Sequence, residues 1–397
     1  MLTLLIFLFV LSVLVISHEW GHFFTARWLG ITVHEFGFGF PPRLFGMQVF
    51  VRIDSQGKKE RRYRLVRGPE NKAIPAGFVP DTLYSFNLIP LGGFVKIKGE
   101  GPEEAGSMEA DSFLVKKSWQ KALVLVAGVG MNVLTAFLLL TIGFMAGVPE
   151  LTDSLPPGAS VQNRQVEILQ VLPGKPAATA GLQPGDAVLK IGELERPRVA
   201  ELQAYVDSHR QQSIPLVIER DDQTQTFAVQ PMVEEGKGLI GIAIAEVGIV
   251  RYPWYSAVYH GAVSTGIYLK EIFAGFYELF KGLAQGKGAG QSVSGPVGVA
   301  VMTGQVARMG FSYLLQFMAL LSLNLAVLNI LPIPALDGGR LLFVILNKVF
   351  GRPVSARYEQ IVHSVGFVLL MLLVVLITAR DLGQFRVPFA DFIQRIF

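Results

Sequence analysis

The sequence has no cysteine and few charged residues. Of its 397 residues, none is Cys and only 17% are Asp, Glu, Lys or Arg, against about 25% in an average globular chain. The absence of Cys excludes a disulfide framework and thiolate metal ligands, so any metal must bind to His, Asp or Glu. The net charge of +4 is too small to indicate a nucleic-acid partner. With 51% hydrophobic residues, the chain has too much apolar surface to remain disordered.

Four long stretches contain no Asp, Glu, Lys or Arg, and each approaches or exceeds the roughly 20 residues that a helix needs to cross a bilayer. The first has no basic segment before it and no Ala-x-Ala cleavage site after it, so we interpret it as a retained span rather than a signal peptide. The sequence therefore predicts a polytopic α-helical membrane protein with four transmembrane helices. Their predicted ranges are 1–28, 121–148, 309–337 and 360–380.

The connecting segments differ in charge. Basic residues outnumber acidic ones in the loop 29–120, and acidic residues outnumber basic ones between the second and third spans. The short link before the last span has no acidic residue and carries Arg340, Lys348, Arg352 and Arg357. By the positive-inside rule, the first and third loops are cytoplasmic, and both termini and the middle domain lie outside.

One apolar segment, 257–283, is interrupted by charges at Lys270, Glu271, Glu278 and Lys281. A helix that lies in the membrane interface fits this pattern better than a fifth span. We therefore predict an interfacial amphipathic helix over 255–285.

The first span ends in the motif His18-Glu19-Trp20-Gly21-His22. On a helix, residues four apart share a face, so both imidazoles can bind one zinc ion while Glu19 lies beside the attacking water. The alternative is a pair of polar histidines at a helix end. Ionisable residues directly after an uncharged span are costly unless they serve a function, which favours the metal site.

A catalytic zinc site needs a third protein ligand. The candidates are His34, His209, His260, His363 and Asp337. Asp337 fits best, because it ends the third predicted span on the same side of the membrane as His22. His363, at the start of the last span, is the main rival. Two prolines before Asp337 prevent a regular helix there, and irregular backbone at membrane depth is tolerated where it lines a cavity.

The middle domain contains the sequence 171–191, in which a strand, a turn, an Ala-rich helix, a Gly-containing loop and a second strand follow one another. This pattern resembles a PDZ domain and predicts an inserted α+β PDZ-like domain over 155–235, entered by a linker at 149–158. Such a domain either binds peptide as an added strand or acts as a plug that excludes large ectodomains.

Taken together, the motifs resemble the site-2 protease family of intramembrane zinc metalloproteases, and specifically the bacterial regulator-of-sigma-E protease type, here with a single PDZ domain. They are His18 to His22, Ala127-Gly128-x-x-Met131-Asn132, Ser294 to Gly298, Leu91 to Lys96, and Asn329-x-x-Pro-x-Pro-x-Leu-Asp-Gly ending at Gly338. Two departures are that the insert has room for only one PDZ domain and that the second-span motif lacks the usual proline.

The resemblance implies that His18, His22 and Asp337 bind Zn²⁺ and that Glu19 is the catalytic acid/base. It implies that the segment Gly92 to Lys98 is a membrane-associated β-hairpin loop near the active site. It also implies that Asn329 helps to hold the substrate backbone. The glycines and alternation of Gly92, Gly93, Phe94 and Val95 predict a strand edge that adds a substrate segment; the alternative is an amphipathic hairpin anchored among the lipid headgroups.

The leading hypothesis is a zinc-dependent endopeptidase of the bacterial inner membrane that cleaves transmembrane segments of single-pass proteins. From the resemblance, its substrates are anti-sigma factors or signal-peptide remnants. The alternative is a non-catalytic membrane scaffold or chaperone with a PDZ module and a structural zinc. A transporter is a weaker option, because the spans are few and show no inverted repeat.

Overall fold

The computed structural model describes residues 2–53, 59–68, 74–100, 108–151, 159–220, 223–234, 236–286, 295–351 and 354–384. Arg352, Ser294 and most of the predicted linker at 149–158 lie outside these ranges. The chain divides into two compact units, one of Met1–Leu140 with Gly261–Phe397 and one of Thr141–His260.

Nine helices occur in the described ranges. They are α1 (Leu2–Trp28), α2 (Ser118–Ala146), α3 (Pro176–Ala180), α4 (Val199–Ser208), α5 (Trp254–Ala284), α6 (Pro296–Met309), α7 (Phe311–Ile330), α8 (Asp337–Phe350) and α9 (Ala356–Gln384). The strands are β1 (Val33–Ile53), β2 (Lys59–Arg67), β3 (Val79–Ile97), β4 (Val148–Leu151), β5 (Ser160–Val171), β6 (Ala187–Ile191), β7 (Leu194–Glu195), β8 (Ile214–Arg220), β9 (Gln223–Val229), β10 (Met232–Glu234), β11 (Lys237–Leu239) and β12 (Ile242–Arg251).

Four helices are long and apolar enough to cross a membrane, as the sequence predicts. They are α1, α2, α7 and the part of α9 from Arg357 to Leu382. Each satisfies its backbone hydrogen bonds internally, which a span in lipid requires. Among the described residues α5 does not meet the same criterion, and its interfacial position stays a prediction.

Small residues let the first two spans approach closely. A Cβ added to Gly21 of α1 would lie 2.3 Å from the backbone oxygen of Ala127 on α2, so only glycine fits at this crossing. Further along α1, Val10 and Leu14 pack with Met318 of α7. Because the driving force between helices in lipid is packing rather than the hydrophobic effect, the close contact at Gly21 holds α2 against the HExxH segment.

The third span ends earlier than predicted. The predicted range of the span, 309–337, is divided: α7 ends at Ile330, and Asp337 is the first residue of the next helix, α8. The irregular backbone lies where the sequence predicts it, because Pro332 and Pro334 lack the N–H groups needed to continue α7.

A three-stranded sheet in the order β2-β1-β3 follows α1. The sequence suggested only a hairpin near Gly92 to Lys98. Instead, the end of β3 pairs with the start of β1, with Phe36 opposite Val95, while Phe36 also lies opposite Tyr84 in the first half of β3. Both long strands therefore change direction and pair with each other twice. The short-range pattern in the sequence does not reveal this pairing.

The end of β3 is tied to the segment that leads into α2. Thr32 donates to Asp111 with an O–O distance of 2.7 Å, and Lys98 forms an ion pair with the same carboxylate at 2.8 Å. The pKa of Asp111 is lowered mainly by the hydrogen bond from the ammonium of Lys98 and then by the one from the hydroxyl of Thr32. The strand that follows Gly92 is thus anchored at its far end.

The second unit contains a larger sheet with β4, β12, β5, β6, β8 and β9 in that order and with β7 beside β6. Its core contains the inward-facing residues Val166, Ile168, Val188, Leu202, Leu216 and Ile218. Between β5 and β6 lies α3, which ends at Gly181 in the left-handed conformation with φ of 90°. This order of strand, helix, glycine and strand is the one predicted, and the unit is an inserted α+β PDZ-like domain.

Candidate metal centre

Helix α1 brings two imidazoles to one face. His18 and His22 are four residues apart and nearly buried, with 8% and 7% of their surface exposed. Their Nε2 atoms lie 3.1 Å apart. A hydrophobic helix does not bury two such side chains against each other without a shared partner, because a buried polar group without one is costly.

The third member of the cluster comes from the start of α8. The Oδ2 atom of Asp337 lies 3.0 Å from Nε2 of His18 and 3.3 Å from Nε2 of His22. These three residues form the only group of metal-binding side chains found within the described ranges, with ligand atoms within 4.8 Å of one another.

The broken backbone before α8 aims Asp337 at the histidines. Ala335 has a φ of 76°, and its N–H donates to Nδ1 of His363 at 2.9 Å. A Cβ added to Gly338 would lie 2.2 Å from the backbone oxygen of Leu331. The turn is therefore held by a side-chain acceptor on one side and by a glycine that permits close backbone contact on the other.

Contacts on the far side of each imidazole set its tautomer. Nδ1 of His22 lies 2.9 Å from the backbone oxygen of Val124. Because a carbonyl only accepts, this nitrogen carries the proton and leaves Nε2 with a free lone pair. The side-chain amide of Asn132 lies 3.4 Å from Nδ1 of His18.

The amide of Asn132 completes the equivalent arrangement at His18. It is fully buried, and its Oδ1 atom has no hydrogen-bond partner among the described residues. A half-turn of the amide lets Oδ1 accept the Nδ1 proton, which frees Nε2 of His18 to bind a metal. In the sequence, Asn132 is recognisable as part of a family motif, but the sequence analysis predicts no role for it in the metal site.

Gly128 of α2 leaves the space that the imidazoles fill. A Cβ at this position would lie 2.4 Å from Nε2 of His22 and 2.7 Å from Cε1 of His18. Any side chain here would occupy the ligand positions themselves.

The donor set fits zinc. Two imidazole nitrogens and one carboxylate oxygen converge, and the buried Oδ2 of Asp337 has no hydrogen-bond donor among the described residues. With Nδ1 of His22 protonated towards Val124 and Nδ1 of His18 protonated towards the turned Asn132 amide, both Nε2 atoms have free lone pairs. Three acceptors this close repel one another unless a cation lies between them. Two His and one carboxylate with a free fourth position is a known ligand set of catalytic zinc.

The other predicted residues lie around this cluster. Nδ2 of Asn329 is 3.3 Å from Nε2 of His18. A Cβ added to Gly93 would lie 3.6 Å from Cγ of Glu19, and one added to Gly92 would lie 3.5 Å from Val15 of α1. The segment from Gly93 to the end of β3 therefore lies alongside the HExxH helix.

The rival ligands lie elsewhere. His34 is exposed on β1, and His363 supports the turn at Ala335. In the inserted unit, His209 stacks on Tyr205 and His260 packs against Tyr252. None of the four joins the group of metal-binding side chains.

A cavity of about 600 Å³ adjoins the segments that carry the candidate ligands. Its lining includes Ala335, two residues before Asp337, and Leu125, next to Val124. Charged groups line it as well, among them Arg340 and Glu100, which form an ion pair.

The profile of peptidase family M50 matches residues 6–53 and 72–373. The chain belongs to peptidase family M50. It is thus a zinc metalloprotease of the site-2 protease family, with Zn²⁺ as its cofactor and the membrane as its location.

Individual relatives match nearly the whole chain. A relative from Clostridium perfringens is 30% identical over 376 residues, covering 94% of this chain and 97% of its own length. Zinc metalloprotease RasP of Oceanobacillus iheyensis is 27% identical over 469 residues, covering 97% and 99%. The PDZ domain of the SdrC-like protein from Listeria monocytogenes matches 21% of this chain and 92% of its own at 20% identity, with a TM-score of 0.20.

Proposed function

We propose that this peptidase cleaves peptide bonds inside the transmembrane segments of single-pass membrane proteins. The observation that carries the proposal is the depth of the cluster. His18 lies ten residues before the end of α1 at Trp28, which is about 15 Å along a helix. The hydrocarbon core of a bilayer is about 30 Å thick, so a bilayer that α1 spans has the cluster within its core in this proposal.

In this proposal His18, His22 and Asp337 hold the zinc ion. Zinc bound there supplies a Lewis acid that polarises the scissile carbonyl and makes water a stronger nucleophile. Glu19, adjacent in the chain to His18, takes the proton of the attacking water and delivers it to the leaving amide nitrogen. The amide of Asn329, close to His18, donates to the substrate backbone and orients its carbonyl.

A helical substrate has to unfold locally, because its own hydrogen bonds shield its peptide groups. The last half of β3 is an edge strand, paired with β1 on one side. An extended substrate segment adds to an edge of this kind through backbone hydrogen bonds. We assign this role to the predicted substrate-binding residues Gly92, Gly93, Phe94 and Val95, of which Gly93 lies beside Glu19. Water reaches the site through the cavity beside Ala335 and Arg340.

The proposal includes the sidedness and substrates expected from the sequence. The active site lies towards the cytoplasmic side of the bacterial inner membrane, and the PDZ-like domain is extracytoplasmic. Its substrates are anti-sigma factors or signal-peptide remnants. The PDZ-like domain either binds their peptide ends or excludes bulky ectodomains.

The test uses the full-length protein in lipid vesicles with a labelled single-pass substrate, and three variants. Glu19→Gln is expected to retain zinc and to lose cleavage by at least about 100-fold, the size of a general-base contribution. Asp337→Asn is expected to lose zinc, and His34→Gln, exposed on β1, to retain both. Mass spectrometry should locate the cut within the transmembrane segment.

Two outcomes contradict the proposal. Cleavage by Glu19→Gln at the wild-type rate would remove the acid/base role and favour a scaffold with a structural zinc. A cut confined to residues outside the bilayer would favour an ordinary membrane-anchored protease. A structural site is usually closed by four protein ligands, and three are present among the described residues.

A further inference from the structure

One face of the three-stranded sheet is aromatic. Directly opposed residues of paired strands share a face, and the register places Phe38, Phe86 and Phe45 in one row. Their rings stack, with centroids 4.8 Å and 5.0 Å apart. In the next row Tyr84 lies opposite Met47. We call these five residues the aromatic face.

The aromatic face continues the surface of a membrane-spanning helix. Phe23, in the last turns of α1, contacts Phe36 and Tyr84 with ring centroids 5.4 Å and 6.0 Å apart. On the aromatic face, Phe45 and Met47 are 47% and 43% exposed. Contiguous exposed aromatic surface of this kind marks a contact with a partner or a membrane, and its continuity with α1 indicates the bilayer.

The outermost strand, β2, adds basic side chains to the aromatic face. β2 pairs with β1 so that Arg67 lies opposite Phe45 and Arg61 opposite Val51. By the alternation of a strand, Lys59, Arg61 and Arg67 project on the aromatic face, and all three are exposed.

Within the part of the chain that the structure describes, these three cations have no counter-charge on their face. The one acidic residue of β2, Glu60, projects on the opposite face, where it forms an ion pair with Arg52 at 2.5 Å. Among the described residues, no carboxylate lies within ion-pair distance of Lys59, Arg61 or Arg67. An aromatic surface followed by unpaired cations is the arrangement that places rings at the lipid interface and cations among the headgroups.

We propose that Lys59, Arg61 and Arg67 bind the phosphates of anionic phospholipids, and that this contact seats the aromatic face in the bilayer surface. Guanidinium groups bind phosphate through paired hydrogen bonds. Each cation near an anionic membrane surface contributes about fivefold to the preference for anionic lipid. The contact fixes the orientation of the sheet whose other edge, at the end of β3, lies beside Glu19.

The experiment uses the absence of cysteine from the chain. A single Leu65→Cys substitution, at a position 59% exposed between Arg61 and Arg67 on β2, carries an environment-sensitive fluorophore. The full-length protein is placed in mixed phosphatidylcholine and phosphatidylglycerol vesicles in which one lipid or the other has brominated acyl chains. The ratio of quenching by brominated phosphatidylglycerol to quenching by brominated phosphatidylcholine reports the lipid class at this strand.

Two matched double variants each remove two cations, one variant from the aromatic face and the other from the opposite face of the sheet. We expect a ratio at least about fivefold above that of the bulk lipid for the wild-type strand, and a value close to the bulk ratio for Arg61→Gln with Arg67→Gln. The control pair, Arg62→Gln with Lys96→Gln, keeps the high ratio, because these exposed side chains project on the opposite face. Soluble glycerol phosphate at millimolar concentration leaves the ratio unchanged.

Three results would overturn the proposal. A bulk-like ratio in the wild type removes the preference for anionic lipid, and the absence of quenching by either lipid removes the membrane contact. An unchanged ratio in the Arg61 and Arg67 variant removes the assignment to these cations. If that variant does not fold, the wild type at 1 M salt decides, since a Debye length of about 3 Å screens exposed charges and must abolish the preference.

Discussion

Replacing Gly128 by alanine is expected to damage the metal centre without touching a ligand. The added methyl would lie 2.4 Å from Nε2 of His22, whereas ordinary van der Waals contact begins at 3.4 Å. The imidazole ring therefore has to move by about 1 Å, while metal–ligand distances tolerate changes of only about 0.2 Å.

The size of the effect follows from this mismatch. Loss of a partner that merely orients a zinc ligand costs about 10- to 100-fold in metal affinity. Displacing Nε2 itself is expected to cost at least as much. Cleavage in metal-limited conditions should fall in proportion, because the affected property is occupancy of the site rather than the chemistry of Glu19.

Gly130→Ala is the matched control for Gly128→Ala. Gly130 lies two residues further along α2 and has no atom within 4 Å of an added Cβ. Both substitutions gain the same helix propensity, about 1 kcal/mol in favour of alanine, so the difference between them isolates the contact with the histidines. The assay is zinc affinity in detergent, measured against a chelator buffer, with thermal unfolding of the metal-free proteins as the folding check. Equal zinc affinity in the two variants would refute the geometry of the site.

Two further predictions concern residues around the ligands. Asn132→Ala should lower zinc affinity by about 10- to 100-fold, because Nδ1–H of His18 loses its acceptor, and Asn132→Asp should recover part of the loss. If chelator titrations give Asn132→Ala the same zinc affinity as the wild type, this hydrogen bond is excluded. Arg340→Glu should slow cleavage by up to about fivefold, since the partly exposed ion pair with Glu100 contributes at most about 1 kcal/mol. Adding Glu100→Arg should restore the cleavage rate. A double variant that cleaves no faster than the single one would show that the pair does not link α8 to the end of β3.

The candidate ligands on α1 could be identified from the sequence because the argument depends on local spacing. His18 and His22 share a helix face whatever surrounds them, and the absence of Cys restricts the third ligand to His, Asp or Glu. The four membrane helices follow equally directly from uncharged runs in the sequence. These features need no knowledge of how distant segments pack.

The parts that could not be predicted depend on packing between segments. Gly128 and Asn132 act on the histidines only because α2 crosses α1 at Gly21, and nothing in their own neighbourhood indicates that crossing. The helix α6 is separated from α7 by Gly310, which has a φ of 129°, and short-range sequence patterns do not specify how these two helices pack. The double pairing of β1 with β3 joins residues some fifty positions apart, as Phe36 and Tyr84 illustrate, and alternation alone does not specify it.

The break after α7 is what brings a carboxylate to the two imidazoles. Asn329 and Asp337 both lie close to Nε2 of His18, at 3.3 Å and 3.0 Å, although they are eight residues apart. On a continuous helix these two residues would be separated by about 12 Å along the axis, and only one of them could reach the same atom. The turn must therefore return the chain to the depth of Asn329 before α8 begins, and His363, as the acceptor for the Ala335 N–H, holds that turn. His363, the main alternative to Asp337 in the sequence analysis, thus stabilises the backbone turn that places Asp337 beside His18.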